Sequence, residues 1–130
     1  MPAVYLDSSA IVKLAVREAE SAALRRHLQR RRPWVSSALA RVEVLRALLP
    51  GGDEALAAGR RVLATCDLVR INDVVLNEAA VLEPRDLRSL DAIHLATALR
   101  LGEDVGAVVT YDARMAAAAR RLRLRVATPS

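Results

Sequence analysis

Four acidic residues stand at positions from which their carboxylates could act on one substrate. They are Asp7, Glu43, Asp91 and Asp112. A group of carboxylates repels itself unless a cation lies between its members. Oxygen ligands without cysteine or histidine select Mg²⁺ or Mn²⁺ rather than zinc. Such an ion can polarise a phosphoryl oxygen, lower the pKa of a bound water and stabilise a leaving oxygen, so the chemistry to consider is phosphate-ester hydrolysis without a protein nucleophile.

Two of these acids, Asp7 and Asp112, each follow a predicted β-strand. The strands are expected at residues 3–6 and 107–110. In an open parallel sheet, ligands bind beyond the carboxyl ends of the strands, so both carboxylates are expected at that edge. Either side chain could instead only cap the helix that follows it, by accepting hydrogen bonds from free backbone N–H groups.

Glu43 lies inside a helix predicted over residues 38–49, beside its apolar stripe. The stripe is predicted to face the core and consists of Ala38, Val42, Leu45 and Leu49. A charge next to buried side chains is costly without a partner or a cation. An ion pair with Arg41 or Arg46 on the same helix is the structural alternative.

Asp91 lies in the first turn of a helix predicted over residues 90–101, which is apolar on nearly every side. The helix dipole also favours a carboxylate there, with Ser89 as the cap, so a purely structural role stays open. His94 follows three residues later and shares the helix face of Asp91. We expect His94 to have a structural or hydrogen-bonding role rather than to act as a base or a ligand.

Short β-rich segments alternate with longer helical patterns, which indicates parallel βαβ units with right-handed crossovers. Strands are predicted at residues 3–6, 34–36, 68–71, 107–110 and 125–127. Helices are predicted at residues 9–17, 20–31, 38–49, 53–65, 74–82, 90–101 and 113–122. The expected fold is an α/β three-layer α/β/α sandwich with a short parallel sheet of about five strands, in a single domain over residues 1–130.

The composition favours a helix-rich protein that does not enter membranes. The hydrophobic fraction of 53% comes mainly from Ala, Leu and Val, and there is no Phe. No stretch without a charged residue exceeds eight positions, and the N-terminus lacks the basic-then-apolar order of a signal peptide. We therefore expect a cytoplasmic protein.

The net charge of +5 is carried almost wholly by arginine, since Lys13 is the only lysine. The planar guanidinium suits bidentate contacts to phosphate, which favours a polyanionic partner. Arg114, two residues after Asp112, could hold a substrate phosphate near a metal ion, and the arginine run at 30–32 could extend that surface. The alternative is that these arginines are solvated side chains on helix surfaces.

Four blocks, in this order and at this spacing, resemble the PIN-domain family, and especially the VapC toxins of bacterial toxin–antitoxin pairs. The blocks are Val4-Tyr5-Leu6-Asp7-Ser8-Ser9-Ala10, Glu43 in the helix after the second strand, Leu90-Asp91-Ala92-Ile93-His94-Leu95-Ala96, and Val109-Thr110-Tyr111-Asp112-Ala113-Arg114. The similarity covers essentially the whole chain. It implies a PIN-like form of the predicted sandwich.

The resemblance also implies a metal-dependent active site. The acidic quartet that binds Mg²⁺ or Mn²⁺ would be Asp7, Glu43, Asp91 and Asp112, supported by the hydroxyl residues Ser9 and Thr110. Members of the family cut RNA, and many VapC toxins cut transfer or ribosomal RNA. A homodimer and a VapB-like antitoxin, whose peptide crosses the active-site groove, are further implications.

Three alternatives fit less well. A receiver-type signalling domain could use Asp73 as phosphoacceptor, but it needs a second acid after the first strand and a lysine after the last strands, whereas Lys13 lies in the first helix. A haloacid-dehalogenase-like phosphatase needs an acid where Ser9 stands. A PIN module that binds RNA or a protein without cutting is disfavoured because all four acids are present.

Overall fold

The chain alternates strands and helices around one sheet, and its computed structural model describes residues 2–130. The strands are β1 (Ala3–Leu6), β2 (Trp34–Ser37), β3 (Cys66–Val69), β4 (Val105–Val109) and β5 (Val126–Ala127). The helices are α1 (Ser8–Ala15), α2 (Ser21–Leu28), α3 (Ala40–Leu48), α4 (Gly52–Ala64), α5 (Asp73–Ala80), α6 (Ser89–Leu101) and α7 (Ala113–Arg121). Every predicted element is present, with ends that differ from the prediction by at most three residues.

All five strands are parallel and lie in the order β3-β2-β1-β4-β5. The chain moves outward from β1 in one direction to β3 and in the other to β5, so the topology switches between β1 and β4. Leu6 lies opposite Val109, and the N–H of Asp7 donates to the carbonyl of Val109 at 3.2 Å. The segments that follow β1 and β4 therefore leave the same edge of the sheet side by side, at the place where such folds bind ligands.

The central strand β1 is buried on both faces, as expected for a parallel sheet covered by helices. Val4 and Leu6 pack into a core cluster with residues of α1, α2, α3 and α4. Ala3 and Tyr5 face the opposite side, where they meet Ala98 of α6. Met115 of α7 packs against Leu95 of α6 on that side. The predicted three-layer sandwich with a five-stranded parallel sheet is confirmed.

The predicted buried face of α3 is wrong. The helix buries Ala40, Val44 and Leu48, whereas Val42 and Leu49 are 62% and 49% exposed. The cause is tertiary, because α3 packs closely on α4 at Gly59, where a Cβ atom would come within 2.6 Å of Leu48 Cδ1. Leu48 and Val44 fill the space that this glycine leaves.

Strand β3 begins two residues earlier than predicted. It pairs with the whole of β2, so that Cys66 lies opposite Trp34 and Val69 lies opposite Ser37. The strand thus starts almost directly after α4 ends at Ala64.

Among the helices formed by residues 2–130, none combines the length and the apolar character needed to cross a bilayer.

Candidate active site

Asp7 is buried at the carboxyl end of β1, with only 3% of its surface exposed. Its Oδ1 accepts hydrogen bonds from the Ser9 hydroxyl at 2.6 Å and from the N–H of Ala10 at 3.0 Å, and its Oδ2 accepts one from the Thr110 hydroxyl at 2.5 Å. Burial raises the pKa of Asp7, and these hydrogen bonds oppose the rise only in part. Asp7 therefore caps α1, as the structural alternative proposed, but it is also a buried carboxyl group without a cationic ion-pair partner among residues 2–130.

Ser9 and Thr110 join Asp7 to the segment that follows β4. The Ser9 hydroxyl accepts a hydrogen bond from the N–H of Tyr111 at 2.9 Å, and the Thr110 hydroxyl accepts one from the N–H of Asp112 at 3.0 Å. Two side chains thereby lock the carboxyl ends of β1 and β4 together. This geometry is what a supporting role for Ser9 and Thr110 requires.

The two carboxylate oxygens of Asp112 have different surroundings. Its Oδ1 accepts hydrogen bonds from the N–H groups of Arg114 at 2.9 Å and Met115 at 3.1 Å, which makes Asp112 the N-cap of α7. Its Oδ2 receives no hydrogen bond from the described part of the chain. One oxygen is therefore structural, and the other is free to meet a ligand.

Asp91 lies half-buried in the first turn of α6. Ser89 is not the cap that the structural alternative offered, because Ser89 is already helical and Arg88 occupies the N-cap position without a side-chain cap hydrogen bond. Within residues 2–130, no hydrogen bond reaches the Asp91 carboxylate. A favourable position near the helix N-terminus remains its only structural role.

The charges around Asp91 place the four predicted acids in one region. Burial raises the pKa of Asp91, and the negative charges of Asp112, Asp7 and Glu43 raise it further against the opposing effect of His94. Coulombic interactions weaken with distance, so Asp112, Asp7 and Glu43 lie in the neighbourhood of Asp91. Across residues 2–130, however, no three Asp, Glu, His or Cys side chains are arranged to hold a metal ion by themselves.

His94 connects Glu43 to Tyr5 through a chain of hydrogen bonds. Its Nδ1 lies 2.7 Å from the Tyr5 hydroxyl, and its Nε2 lies 2.6 Å from Glu43 Oε1. Nε2 donates to Glu43, because a carboxylate oxygen can only accept. Burial raises the pKa of Tyr5 far above its usual value, so the hydroxyl that meets Nδ1 stays protonated. His94 is fully buried, and the hydrogen-bonding role predicted for it is confirmed.

Glu43 is held at one oxygen by two donors. The Ser8 hydroxyl donates to the same Oε1 at 2.5 Å. Among residues 2–130 the ionisable partner of Glu43 is His94, so the structure does not show the alternative pairing with Arg41 or Arg46. Burial alone would raise the pKa of Glu43, but the hydrogen bonds from His94 and Ser8 outweigh it and lower that pKa. Glu43 is therefore a carboxylate at neutral pH.

The sequence interpretation missed Ser8 and Tyr5. Ser8 is the first residue of α1 and follows Asp7 directly, so its position after the acid was the available signal. Tyr5 offered none, since its contact with His94 joins residues 89 positions apart. Arg114 lies exposed in the first turn of α7 and shares a groove with Asp91.

The fold and the site define a class of protein, a small parallel α/β sandwich with an acidic cluster beyond the carboxyl ends of β1 and β4. The family model of the PIN domain matches residues 4–121. The chain belongs to the PIN-domain family, as the sequence resemblance predicted.

Two relatives from Mycobacterium tuberculosis are similar over their full or nearly full length. The chain is 62% identical to Ribonuclease VapC46 over 130 residues, which is all of both proteins. It is 45% identical to Ribonuclease VapC35, over 97% of this chain and 96% of that protein. These relatives place the chain beside the VapC branch of the family.

Solved structures share the fold. Mycobacterium tuberculosis VapC20, described as a Sarcin-Ricin loop cleaving toxin, matches with a TM-score of 0.75 over 89% of this chain and 95% of that chain, at 17% identity. A chain of a toxin–antitoxin complex from Klebsiella pneumoniae matches with a TM-score of 0.74 over 98% of both chains, at 20% identity. At such identities the likeness concerns the fold alone.

Proposed function

We propose that this chain is an endoribonuclease dependent on Mg²⁺ or Mn²⁺, which acts as a single domain over residues 1–130 and hydrolyses RNA phosphodiester bonds. The observation that carries the proposal is the junction of β1 and β4, where the Ser9 and Thr110 hydroxyls bind both the Asp7 carboxylate and the backbone next to Asp112. Burial and neighbouring carboxylates also raise the pKa of Asp91, and a cation would relieve that repulsion. The 62% identity to a protein named as a ribonuclease supports RNA as the substrate class.

The donor set fits a hard divalent cation. The candidate ligands are all carboxylates, and three of them keep oxygens that no described residue engages: Asp91, Asp112 and Glu43. Mg²⁺ commonly binds one or two carboxylates directly and retains several waters, so it does not need a preformed cage of three protein ligands. When bound, the ion would polarise a phosphoryl oxygen and lower the pKa of a water molecule.

The four acids have different local settings, which suggests a division of labour. Asp7, Asp91 and Asp112 would bind the metal ion, and Glu43 would either bind the same ion or orient the attacking water. Glu43 is held at Oε1 by His94 and Ser8, so Oε2 is left to accept a hydrogen bond from the attacking water and to take its proton. The lowered pKa of Glu43 keeps it in the ionised form that this role needs.

Cleavage of purified RNA tests the proposal. We expect the protein to cut a pool of total cellular RNA in the presence of Mg²⁺ or Mn²⁺, excess EDTA to stop the reaction, and added Mn²⁺ to restore it. Sequencing of the new RNA ends would map the cut sites. Cutting that persists in EDTA would contradict the metal assignment. Binding without any cutting, over total, transfer and ribosomal RNA, would favour the non-catalytic PIN module.

The VapC resemblance extends the proposal to the biological setting. The chain would be the toxin of a type II pair, neutralised by a VapB-like antitoxin, and would act in the cytoplasm as a homodimer on transfer or ribosomal RNA. Full-length similarity to two proteins named as VapC ribonucleases supports this setting.

The hydrogen bond from His94 to Glu43 gives a second prediction. A His94→Leu variant is expected to lower kcat and Mn²⁺ affinity by about 10- to 100-fold, because Glu43 loses the donor that orients it. His94→Gln keeps a donor near Glu43 and should recover part of both losses. Calorimetric titration with Mn²⁺ and a cleavage time course measure the two quantities. If the Leu variant folds and retains the Mn²⁺ affinity and kcat of the wild type, His94 does not position Glu43.

A further inference from the structure

A groove leads away from Asp91 along the surface of α7. It has a volume of about 480 Å³, within the range of ligand clefts, and lies between the start of α6 with its preceding loop and one face of α7. Arg88 and Asp91 line it from the side of α6, and Arg114 and Arg121 line it from the side of α7. The groove therefore includes Asp91, one of the four predicted site acids, and carries arginines on both sides.

The α7 side of the groove is a regular helix face. Arg114, Ala117, Ala118 and Arg121 follow one another at intervals of three, one and three residues, which places them on a single stripe. The small side chains of the two alanines form the bottom of the groove between the arginines. Seven residues of helix separate the Cα atoms of Arg114 and Arg121 by about 10.5 Å along the axis. This spacing allows the two guanidinium groups to contact different phosphates of one strand.

The three arginines have no acidic partner in the described part of the chain. The arginine ion pairs within residues 2–130 are those of Arg85 with Glu83 and Arg100 with Glu78. Asp86 also lines the groove, yet it lies within 4.0 Å of none of these arginines. Three exposed guanidinium groups beside a cluster of carboxylates are thus available to an external anion.

We propose that this groove holds the RNA strand on one side of the scissile phosphate, with Arg88 and Arg121 contacting backbone phosphates beyond the one nearest Arg114. The inference rests on the proposed ribonuclease function and gives that site a path for its substrate. A nucleic-acid strand fits better than an acidic peptide, because a phosphodiester at Asp91 is the group on which the proposed metal site would act, and Arg114 and Arg121 then follow at a spacing that suits further phosphates of the same strand.

Contacts of this kind position a strand without reading its bases. Arg88 and Arg121 should therefore contribute affinity for RNA of any sequence. That contribution should weaken with salt, because neutralised phosphates release their counterions.

The test compares two double variants that remove the same charge. Arg88→Gln with Arg121→Gln alters the groove, and Arg60→Gln with Arg120→Gln alters exposed arginines outside it. RNA affinity is measured by fluorescence anisotropy with a labelled single-stranded RNA and Mg²⁺, in an Asp7→Asn background that keeps the RNA intact. The groove variant should bind about tenfold more weakly, with the slope of log affinity against log salt reduced by about 1.4. The control should change affinity by less than about twofold.

Equal weakening in the two double variants would overturn the proposal, since it would show an effect of net charge alone. Unchanged affinity in the groove variant would overturn it as well. Arg121→Gln beside Arg120→Gln gives an independent comparison within one helix if a double variant unfolds. When the groove substitutions are made in the active protein, with Asp7 unchanged, they should raise KM for RNA more than they lower kcat. Failure of the wild type to cut any RNA would reject the ribonuclease function, whereas the binding comparison still decides the role of the groove.

Discussion

An Asp7→Asn variant is expected to lose RNA cleavage by at least about a hundredfold, while it folds and melts at or above the wild-type temperature without metal. A metal ion stabilises a phosphoryl transition state by several kcal/mol. A change of about 1.4 kcal/mol in the activation free energy changes the rate tenfold. Asn has the shape of Asp and is an equally good helix cap, so the hydrogen bond from Ala10 to Oδ1 survives. The Thr110 hydroxyl can rotate to accept from the new amide.

The difference in stability between this variant and the wild type should depend on pH in a defined direction. The folded pKa of Asp7 is raised above its ordinary value of 3.8, so the folded protein holds the proton more tightly than the unfolded chain does. The resulting stabilisation is complete below the unfolded pKa and is lost as pH rises through the folded pKa. As the pH rises through the folded pKa, the wild type acquires a buried charge and the Asn variant does not. The difference in melting temperature should therefore widen as the pH is raised above 3.8, the ordinary pKa of the unfolded chain.

Thermal melts in EDTA and cleavage assays in Mn²⁺ measure the two effects of Asp7→Asn. Asp104→Asn is a matched control, because Asp104 is exposed just before β4, at the opposite edge of the sheet. Wild-type cleavage by the Asp7 variant would refute its place in the metal site. Melting several degrees below the wild type would instead refute the cost assigned to the buried charge.

The sequence predicted the edge of the sheet at which the acids meet, and this part of the site depends on topology. Asp7 follows β1 and Asp112 follows β4, and parallel strands bring their carboxyl ends to one side. Helical periodicity placed Asp91 in the first turn of α6. These features follow from local patterns and chain order, so no tertiary contact had to be known.

The remainder of the site depends on contacts that local patterns do not encode. Two apolar stripes were available on α3, and the close approach at Gly59 of α4 selected the one through Val44. The partners of Glu43 lie 35 and 51 residues away, at Ser8 and His94. Arg41 and Arg46 are nearer to Glu43 in sequence. The buried ring of His94 is the partner because it is already held in place and loses little conformational entropy when it donates to Glu43.

Asp112 allows the capping role and the metal role of one side chain to be separated. An Asp112→Asn variant should keep the stability of the wild type, because an amide oxygen can accept from the N–H groups of Arg114 and Met115 as Oδ1 does now. It should still lose cleavage by about a hundredfold, since the free oxygen no longer carries charge. An Asp112→Ala variant should lose both properties, with a fall of about 0.5–2 kcal/mol in the free energy of unfolding.

Asn72→Ala is the matched control for Asp112→Ala, because Asn72 caps α5 through a hydrogen bond from Val75 N–H at 2.9 Å and carries no charge. It should reduce the free energy of unfolding by a similar amount and leave cleavage intact. Denaturant unfolding and initial cleavage rates give the two numbers for each variant. If Asp112→Asn cuts RNA as the wild type does, Asp112 is only a helix cap and the metal must be held by the other acids. If instead Asn72→Ala also abolishes cleavage, the loss of a helix cap is enough to inactivate the protein. In that case only Asp112→Asn can separate the charge of Asp112 from its hydrogen bonds.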